Sequence, residues 1–202
     1  MHPDSTHPVT DSTHERTATE TQIDTWCRRI RDADADAFEA LYGALYEGLL
    51  RYAHSLLRQE AAAQDVVQQA FMEVWDMRER LDPDQSLKAL LYRIVRNRAY
   101  NQKRNAANRR SKREEMTYDT RPPQDDPQGA LDAERLERRL NDWIDALPER
   151  QQEALRLSRF EDLSHDEIAS VMGISPRTVN NHIVRALRRL REQVQAYDPR
   201  LL

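Results

Sequence analysis

The residues from Ser164 to Arg191, SHDEIASVMGISPRTVNNHIVRALRRLR, carry the signals for two helices joined by a very short turn. The first serine of this stretch can cap a helix, and Glu167 three residues later completes a capping box. Gly173 suits the left-handed position that ends this helix, and Ser175 followed by Pro176 suits the start of the next. This pattern predicts a helix-turn-helix, whose second helix enters the major groove of DNA. An ordinary helical hairpin carries similar caps, but the basic second helix favours the form that reads DNA.

The second helix of this pattern is predicted to have a packing side and a polar side. It contains five arginines and no acid between residues 175 and 191. Residues near the start of a recognition helix lie closest to base edges, and arginines further along contact phosphate. The predicted packing side is Val179, Ile183, Ala186, Leu187 and Leu190. The predicted DNA contacts are Ser175, Arg177, Thr178, Asn181, His182, Arg185 and Arg188, with a solvated surface position as an equal alternative for the histidine.

A second basic run lies between residues 86 and 113, which hold ten Lys or Arg residues and no acid. The whole chain has a formal net charge of −4, so the remainder is strongly acidic, and this segregation is typical of nucleic-acid contact. A solvated charged face is the alternative, although such faces normally mix both signs. Guanidinium and amide groups suit phosphates and base edges, and a tyrosine can stack on an unpaired base. The candidate readers are Arg93, Arg96, Asn97, Arg98, Tyr100, Asn101, Lys103 and Arg104. Burial in the domain core is the alternative for Tyr100, and it is the prediction for Tyr92, which lies beside the apolar stripe.

The composition predicts an all-α protein without a metal or cofactor. The chain has only four glycines, and its runs of Ala, Leu, Glu, Arg and Gln favour helix. The single cysteine, Cys27, excludes an internal disulfide and a cysteine-rich zinc site, and we expect it to be buried. The sequence has no long apolar run and no signal sequence, so we expect no stable membrane insertion and a cytoplasmic location.

The order of helical and linker signals predicts two small helical domains joined by a flexible acidic linker. Apolar residues at helical spacing predict helices over about 23–31, 36–58 and 60–80, and a fourth helix from about residue 86. Prolines and acids mark the linker, and the polar N-terminus is typical of disorder. The predicted division is a disordered tail over 1–20, a first domain over 21–113, the linker over 114–129, and a helix-turn-helix domain over 130–202.

Three stretches of the sequence resemble the extracytoplasmic-function group of bacterial sigma-70 factors. AQDVVQQAFMEVW, from Ala63 to Trp75, and LLYRIVRNRAYNQKR, from Leu90 to Arg104, are similar to region two of that family. The stretch from Leu147 to Glu192, which contains the helix-turn-helix, is similar to region four. These stretches occur in the family's order with a linker between them. The resemblance implies a sigma factor that binds core RNA polymerase, directs it to specific promoters and starts transcription.

The resemblance also implies roles for each region. Region two would bind the clamp of the polymerase β′ subunit and open the minus-ten element, which the basic run would read, and the turn from Met77 to Leu87 is similar to a loop that captures a flipped base. Region four would read the minus-thirty-five element and contact the β flap. An anti-sigma factor, often membrane-bound in this group, is implied as a further partner. The positions that correspond to polymerase contacts are Asp65, Gln68, Gln69, Glu73 and Trp75, although Trp75 fits the domain core equally well.

A helix-turn-helix transcriptional regulator that is not a polymerase subunit is the alternative function. Its C-terminal half would look the same, but it has no need of a second DNA-reading surface beside a polymerase-binding one. An enzyme such as a nuclease is disfavoured, because metal-dependent cleavage needs clustered carboxylates or histidines near the nucleic acid and the basic run has none. Asp162, Asp166 and Glu167 have a simpler role around a helix start. The sequence therefore predicts a DNA-binding protein of transcription initiation that is not an enzyme.

Overall fold

A computed structural model describes residues 19–111 and 132–197, and the regular elements within these ranges are all helical. The all-α class is therefore confirmed. The predicted tail up to residue 18, the predicted linker over 114–129, and Lys112 and Arg113 of the basic run lie outside the described residues. The α-helices are α1 (Glu20–Arg31), α2 (Ala35–Leu57), α3 (Glu60–Asp76), α4 (Leu87–Ser111), α5 (Asp132–Asp145), α6 (Glu149–Arg159), α7 (His165–Met172) and α8 (Pro176–Tyr197).

The first four helices share one apolar core, in which α2 packs on α1, α3 and α4. Local signals set where these helices begin and end. Thr19 and Gln22 form a capping box at the start of α1, and Asp34 accepts a hydrogen bond from the Ala37 amide at the start of α2. The predicted burial of Cys27 and Tyr92 is confirmed, with 2% and 1% exposed.

The third helix is shorter than its sequence pattern predicts. It ends at Asp76, and a 3₁₀ turn over Arg78–Arg80 follows. The Asp82 carboxylate then accepts a hydrogen bond from the Asp84 amide at 3.0 Å, which bends the chain away from the helical path. Ser86 accepts a hydrogen bond from the Ala89 amide at 3.1 Å and so caps α4.

The helix-turn-helix is formed by α7 and α8 as its caps predict. Ser164 and Glu167 make the capping box of α7, and Gly173 ends the helix with φ of 67°. Ser175 accepts a hydrogen bond from the Thr178 amide at 3.2 Å at the start of α8. The predicted packing side is correct for Val179, Ile183 and Ala186, which are buried, and Leu190 is partly buried. It is wrong for Leu187, which is 39% exposed because it lies at the edge of the buried stripe, about 40° of helix rotation beyond Ile183.

The two groups of helices, α1–α4 and α5–α8, pack against each other chiefly through α4 and α7. One apolar core runs through both groups. Buried polar groups also meet at this boundary: Glu153 of α6 and Glu161, which follows α6, are 3% and 7% exposed. No helix in the described ranges is long and apolar enough to cross a membrane.

Candidate nucleic-acid interface

Helix α4 carries the predicted minus-ten readers in three different directions. Four of them form one exposed row along the helix, at steps of three or four residues that bring successive side chains to the same face. Within this row the Arg104 guanidinium donates a hydrogen bond to the Asn101 side-chain oxygen at 3.2 Å. The row therefore offers cations and amides to solvent, as a surface that contacts phosphates and bases requires. Its members are Arg93, Asn97, Asn101 and Arg104.

A second set of predicted readers is turned towards α6. Arg96 donates from Nε to the Glu153 carboxylate at 2.6 Å, and its side chain is 11% exposed. The Tyr100 hydroxyl donates to the same carboxylate at 3.3 Å, and the Arg96 guanidinium lies 4.6 Å from the Tyr100 ring centroid. Lys103 donates to Glu149 at 2.7 Å. These three side chains are thus already paired within the chain.

The remaining predicted reader, Arg98, faces α3. It donates to the Glu73 carboxylate at 2.6 Å and to the Gln69 side-chain oxygen at 2.9 Å. The structure therefore brings one predicted DNA contact against two predicted polymerase contacts. A groove of about 500 Å³ runs along this pairing, and Met72, 64% exposed, lies on it. Met72 was not among the predicted contacts, although an apolar residue between Gln69 and Glu73, two predicted polymerase contacts, was a usable signal.

The other predicted polymerase contacts differ in their surroundings. Asp65 and Gln68 are exposed on α3. Trp75 is partly buried, because its ring packs 4.9 Å from the Phe38 ring and the Arg78 guanidinium lies 5.1 Å from its centroid. Trp75 therefore packs against the core and keeps only part of its surface in solvent.

The start of α8 places most of the predicted minus-thirty-five contacts in solvent. Thr178 and His182 are partly buried, and the Thr178 hydroxyl hydrogen-bonds the Ser175 hydroxyl at 2.8 Å. Nδ1 of His182 is buried and has no hydrogen-bond partner among the described residues. The exposed members of the set are Ser175, Arg177, Asn181, Arg185 and Arg188.

Glu153 is the centre of a buried polar network between α2, α4 and α6. The Tyr52 hydroxyl donates to its carboxylate at 2.8 Å, in addition to the bonds from Arg96 and Tyr100. Burial and the nearby Glu153 charge raise the pKa of Tyr52 well above its ordinary value. The same causes raise the pKa of Tyr100 to about 12. Both phenols are therefore hydrogen-bond donors to the carboxylate at neutral pH.

Glu161, in the segment after α6, makes a second buried contact, in which its side chain lies between α2 and α4. It accepts a hydrogen bond from the Tyr92 hydroxyl at 2.6 Å, and its backbone oxygen accepts one from Lys88 at 2.5 Å. Burial raises the pKa of the Glu161 carboxyl, against the Tyr92 bond and the nearby Arg51 charge, which lower it. Gly48 makes room for this contact, since a Cβ atom there would lie 2.4 Å from the Glu161 Oε2 atom.

Sequence reasoning missed Glu153 and Glu161. The spacing of Glu149 and Glu153 puts both carboxylates on one face of α6, which was a weak signal for a basic partner. Nothing in the local pattern distinguishes that face from a solvated one. Among the described residues, no group of three or more His, Cys, Asp or Glu side chains is arranged to hold a metal ion.

Two family models match the chain: Sigma-70 region 2 over residues 41–109, and Sigma-70, region 4 over residues 137–190. RNA polymerase sigma factor CarQ of Myxococcus xanthus is 30% identical over 167 residues, which cover 81% of this chain and 92% of CarQ. ECF RNA polymerase sigma-E factor of Haemophilus influenzae is 31% identical over 180 residues, which cover 83% of this chain and 92% of that protein.

Two solved structures share the fold. CnrH in complex with the cytosolic domain of CnrY is 24% identical with a TM-score of 0.61, covering 87% of this chain and 98% of CnrH. The sigma factor RpoE of Bartonella quintana, in complex with the anti-sigma factor NepR, is 24% identical with a TM-score of 0.62, covering 78% of this chain and 96% of RpoE. The sequence and fold matches together confirm the resemblance, and the chain belongs to the extracytoplasmic-function group of the sigma-70 family, the RNA polymerase sigma factors that start transcription at specific promoters.

Proposed function

We propose that this sigma factor reads its two promoter elements with α4 and α8. The observation that carries the proposal for the minus-ten element is the exposed row of Arg93, Asn97, Asn101 and Arg104 on α4. Their spacing aligns them along a single face, as a contact that follows a DNA strand requires. We expect Arg96, Tyr100 and Lys103 to join this surface once α6 no longer covers them.

The minus-thirty-five element is assigned to the start of α8. Arg177, Asn181 and Arg185 are exposed there at steps of four residues, so they lie along one face of the recognition helix. Arg188, one turn further along, is suited to a phosphate. Thr178 and His182 sit beside this face and are assigned to it through their partly exposed surfaces.

Core polymerase is assigned to the groove along α3. Gln69, Glu73 and Met72 line it, and an apolar side chain surrounded by hydrogen-bonding groups is typical of a protein interface. We assign the clamp of the β′ subunit to this groove and the β flap to the helix-turn-helix domain. The domains proposed for these roles are residues 21–113 and 130–202. No step of this function calls for catalysis, and the protein would act in the cytoplasm where its polymerase works.

An anti-sigma factor is the further partner that we propose. The similar structure from Bartonella quintana holds a sigma factor together with an anti-sigma factor, which supports such a partner for this chain. Copurification of the chain at native expression levels, with mass spectrometry of the bound proteins, tests this assignment. Recovery of polymerase subunits alone under non-inducing conditions would contradict it.

Transcription with purified core polymerase tests the two readers. Start sites mapped after overproduction of the chain identify promoters, which then serve as templates in vitro. Changing Arg177 and Asn181 together to alanine is expected to weaken use of promoters with the native upstream element at least tenfold and to leave polymerase binding intact. Arg159→Ala, which removes an exposed arginine elsewhere in the same helical group, is the control. Loss of polymerase binding in the double variant would show that this face is wrongly assigned.

The reader on α4 is tested in the same assay. Arg93→Ala and Asn97→Ala are expected to reduce promoter opening, measured by permanganate reactivity of unpaired thymines, while closed-complex formation persists. Arg28→Ala, an exposed arginine on α1, is the matched control. Equal promoter opening by the Arg93 variant and the Arg28 variant would contradict the assignment of the minus-ten element to the exposed row on α4.

A further inference from the structure

We propose that Met72 is a reversible oxidation site, and that its sulfoxide form binds core polymerase more weakly than its thioether form. Met72 lies in the groove of about 500 Å³ along α3 that Gln69, Glu73 and Arg98 also line, which we call the α3 groove. The inference rests on the proposed function, because oxidation of Met72 can weaken polymerase binding only if polymerase contacts this groove.

The sulfur-containing side chains of the described residues differ sharply in exposure. Met72 is 64% exposed, whereas Cys27 and Met172 are 2% and 3% exposed and belong to the apolar core. Met77 is partly buried against the same core. Burial also raises the pKa of the Cys27 thiol, so little of it is in the thiolate form that reacts with oxidants. An oxidant in solvent therefore meets the sulfur of Met72 before the other sulfur atoms of the described ranges.

The oxidant that we assign to this site is a peroxide, and the reaction transfers one oxygen atom. A lone pair of the Met72 sulfur attacks one oxygen of hydrogen peroxide, the bond between the two oxygens breaks, and the second oxygen leaves as hydroxide. The hydroxide takes the proton from the oxygen that is now bound to sulfur, so the products are a sulfoxide and water. Sulfur loses two electrons and the peroxide gains them. Methionine sulfoxide reductases return the sulfoxide to the thioether, which makes the change reversible.

The neighbours of Met72 on α3 make it the exposed apolar member of a polar groove. Gln69 lies three residues before it and Glu73 one residue after it, and both accept hydrogen bonds from Arg98, at 2.9 and 2.6 Å. An apolar side chain within such a surface loses its contact with water when a partner covers it, which favours binding. Met72 therefore contributes to the interface as a thioether.

A sulfoxide at this position changes the chemistry of the α3 groove. It replaces an apolar group with a hydrogen-bond acceptor, and a partner that covers the groove removes the water that would satisfy this acceptor. Arg98 already donates to Glu73 and Gln69, so the sulfoxide oxygen must compete with these two acceptors for it. Because a polar group is left unsatisfied in the interface, we expect oxidation to weaken polymerase binding about tenfold.

The same geometry makes oxidation depend on whether polymerase is bound. A partner in the α3 groove covers the sulfur atom that is exposed in the free chain. Oxidation therefore selects the sigma factor that is not bound to polymerase. The oxidised chain is then withheld from polymerase until a reductase restores the thioether.

Peptide mass spectrometry after a brief peroxide treatment tests which methionine reacts. We expect Met72 to be oxidised several-fold faster than Met77 and Met172 in the free chain, because its sulfur is the most exposed of the three. Core polymerase bound beforehand is expected to slow the oxidation of Met72. Equal rates at Met72 and the buried Met172, or equal rates at Met72 with and without polymerase, would overturn the inference.

Affinity for core polymerase, measured on the same protein before and after oxidation, tests the consequence. Catalase removes the peroxide before polymerase is added, so that the polymerase itself is not oxidised. We expect the wild type to bind about tenfold more weakly after treatment and to recover with methionine sulfoxide reductase. Met72→Leu keeps an apolar side chain of similar size together with the chain's other methionines, and we expect it to hold its own starting affinity. Met77→Leu is the matched control, because it removes another methionine of the groove and should stay as sensitive to peroxide as the wild type.

Two results of the affinity measurement would overturn the inference. One is an equal loss of affinity in Met72→Leu and the wild type after peroxide, and the other is a wild type fully oxidised at Met72 that binds as before. Met72→Glu tests the groove assignment without oxidant, because it places a charge at the same position. Unchanged polymerase binding by Met72→Glu would refute the groove that is assigned to polymerase. Weakened binding by Met72→Glu, with no effect of oxidation on the wild type, would refute the oxidation site alone.

Discussion

Gly48 lies within α2, where an alanine would ordinarily stabilise the helix by about 1 kcal/mol. Here the added Cβ would lie 2.4 Å from the Glu161 Oε2 atom and 2.7 Å from the Tyr92 hydroxyl oxygen, both too close for a real contact. The 2.6 Å hydrogen bond between those two groups must then lengthen or break. A hydrogen bond to a charged partner contributes about 1.5–3 kcal/mol. The net expectation for Gly48→Ala is therefore a loss of about 0.5–2 kcal/mol in the free energy of unfolding.

Gly43→Ala isolates the helix effect, because Gly43 is exposed on the same helix and its Cβ would meet nothing within 4 Å. This variant is expected to gain about 0.5–1 kcal/mol, so the two alanine variants should differ by roughly 1–3 kcal/mol. Urea unfolding followed by helical circular dichroism measures both. For a chain of this size the difference corresponds to melting temperatures about 2–12 °C apart. Equal stabilisation by the two alanines would refute the close packing of Glu161 against Gly48 of α2.

Three further predictions concern single side chains. The Tyr100 phenol should ionise near pH 12, measured by absorbance at 295 nm, because burial and the Glu153 carboxylate raise its pKa from 10 to about 12. The free energy that the hydrogen bond from Tyr100 to Glu153 contributes to stability should therefore be fully present below pH 10 and be lost as the pH rises towards 12. Glu153→Gln should bring the pKa of Tyr100 closer to 10. Arg98→Ala should lower the free energy of unfolding by no more than about 1 kcal/mol, since its pair with Glu73 is over a third exposed, and a large loss of stability in urea would contradict this. Because Arg98 lines the α3 groove beside Gln69 and Glu73, we also expect this variant to bind polymerase more weakly. Gly173→Ala should cost about 1 kcal/mol in the same assay because φ is 67°, and an unchanged midpoint would contradict the left-handed turn.

The helix-turn-helix was predictable because each of its signals acts over a few residues. Ser164 with Glu167 starts α7, Gly173 ends it, and Ser175 with Pro176 starts α8, as the structure shows. Capping bonds and a left-handed turn depend on neighbours in the chain and need no distant partner. The same holds for the all-α class, which follows from helical spacing and composition. The end of α3 was less accurate because the turn over Arg78–Arg80 consists of residues that also favour helix, and no Gly or Pro marks the break before Pro83.

The sequence did not decide which side chains of α4 are exposed and which are paired with another helix. Arg93, Arg96 and Arg98 look alike in a basic run, yet the first is exposed, the second is covered by Glu153 and the third is held by Glu73. Helical spacing tells which residues share a face, but it does not tell which element covers that face.

The sequence by itself determined the all-α class and the membership of a sigma-factor family, and it predicted two basic surfaces for DNA. Only the tertiary structure decided that Arg96 of α4 pairs with Glu153, 57 residues further along the chain, and that Gly48 leaves room for Glu161. The physical reason is that a buried charge pair requires both partners to leave water together. That requirement depends on how distant helices pack, and no local pattern of residue types encodes it.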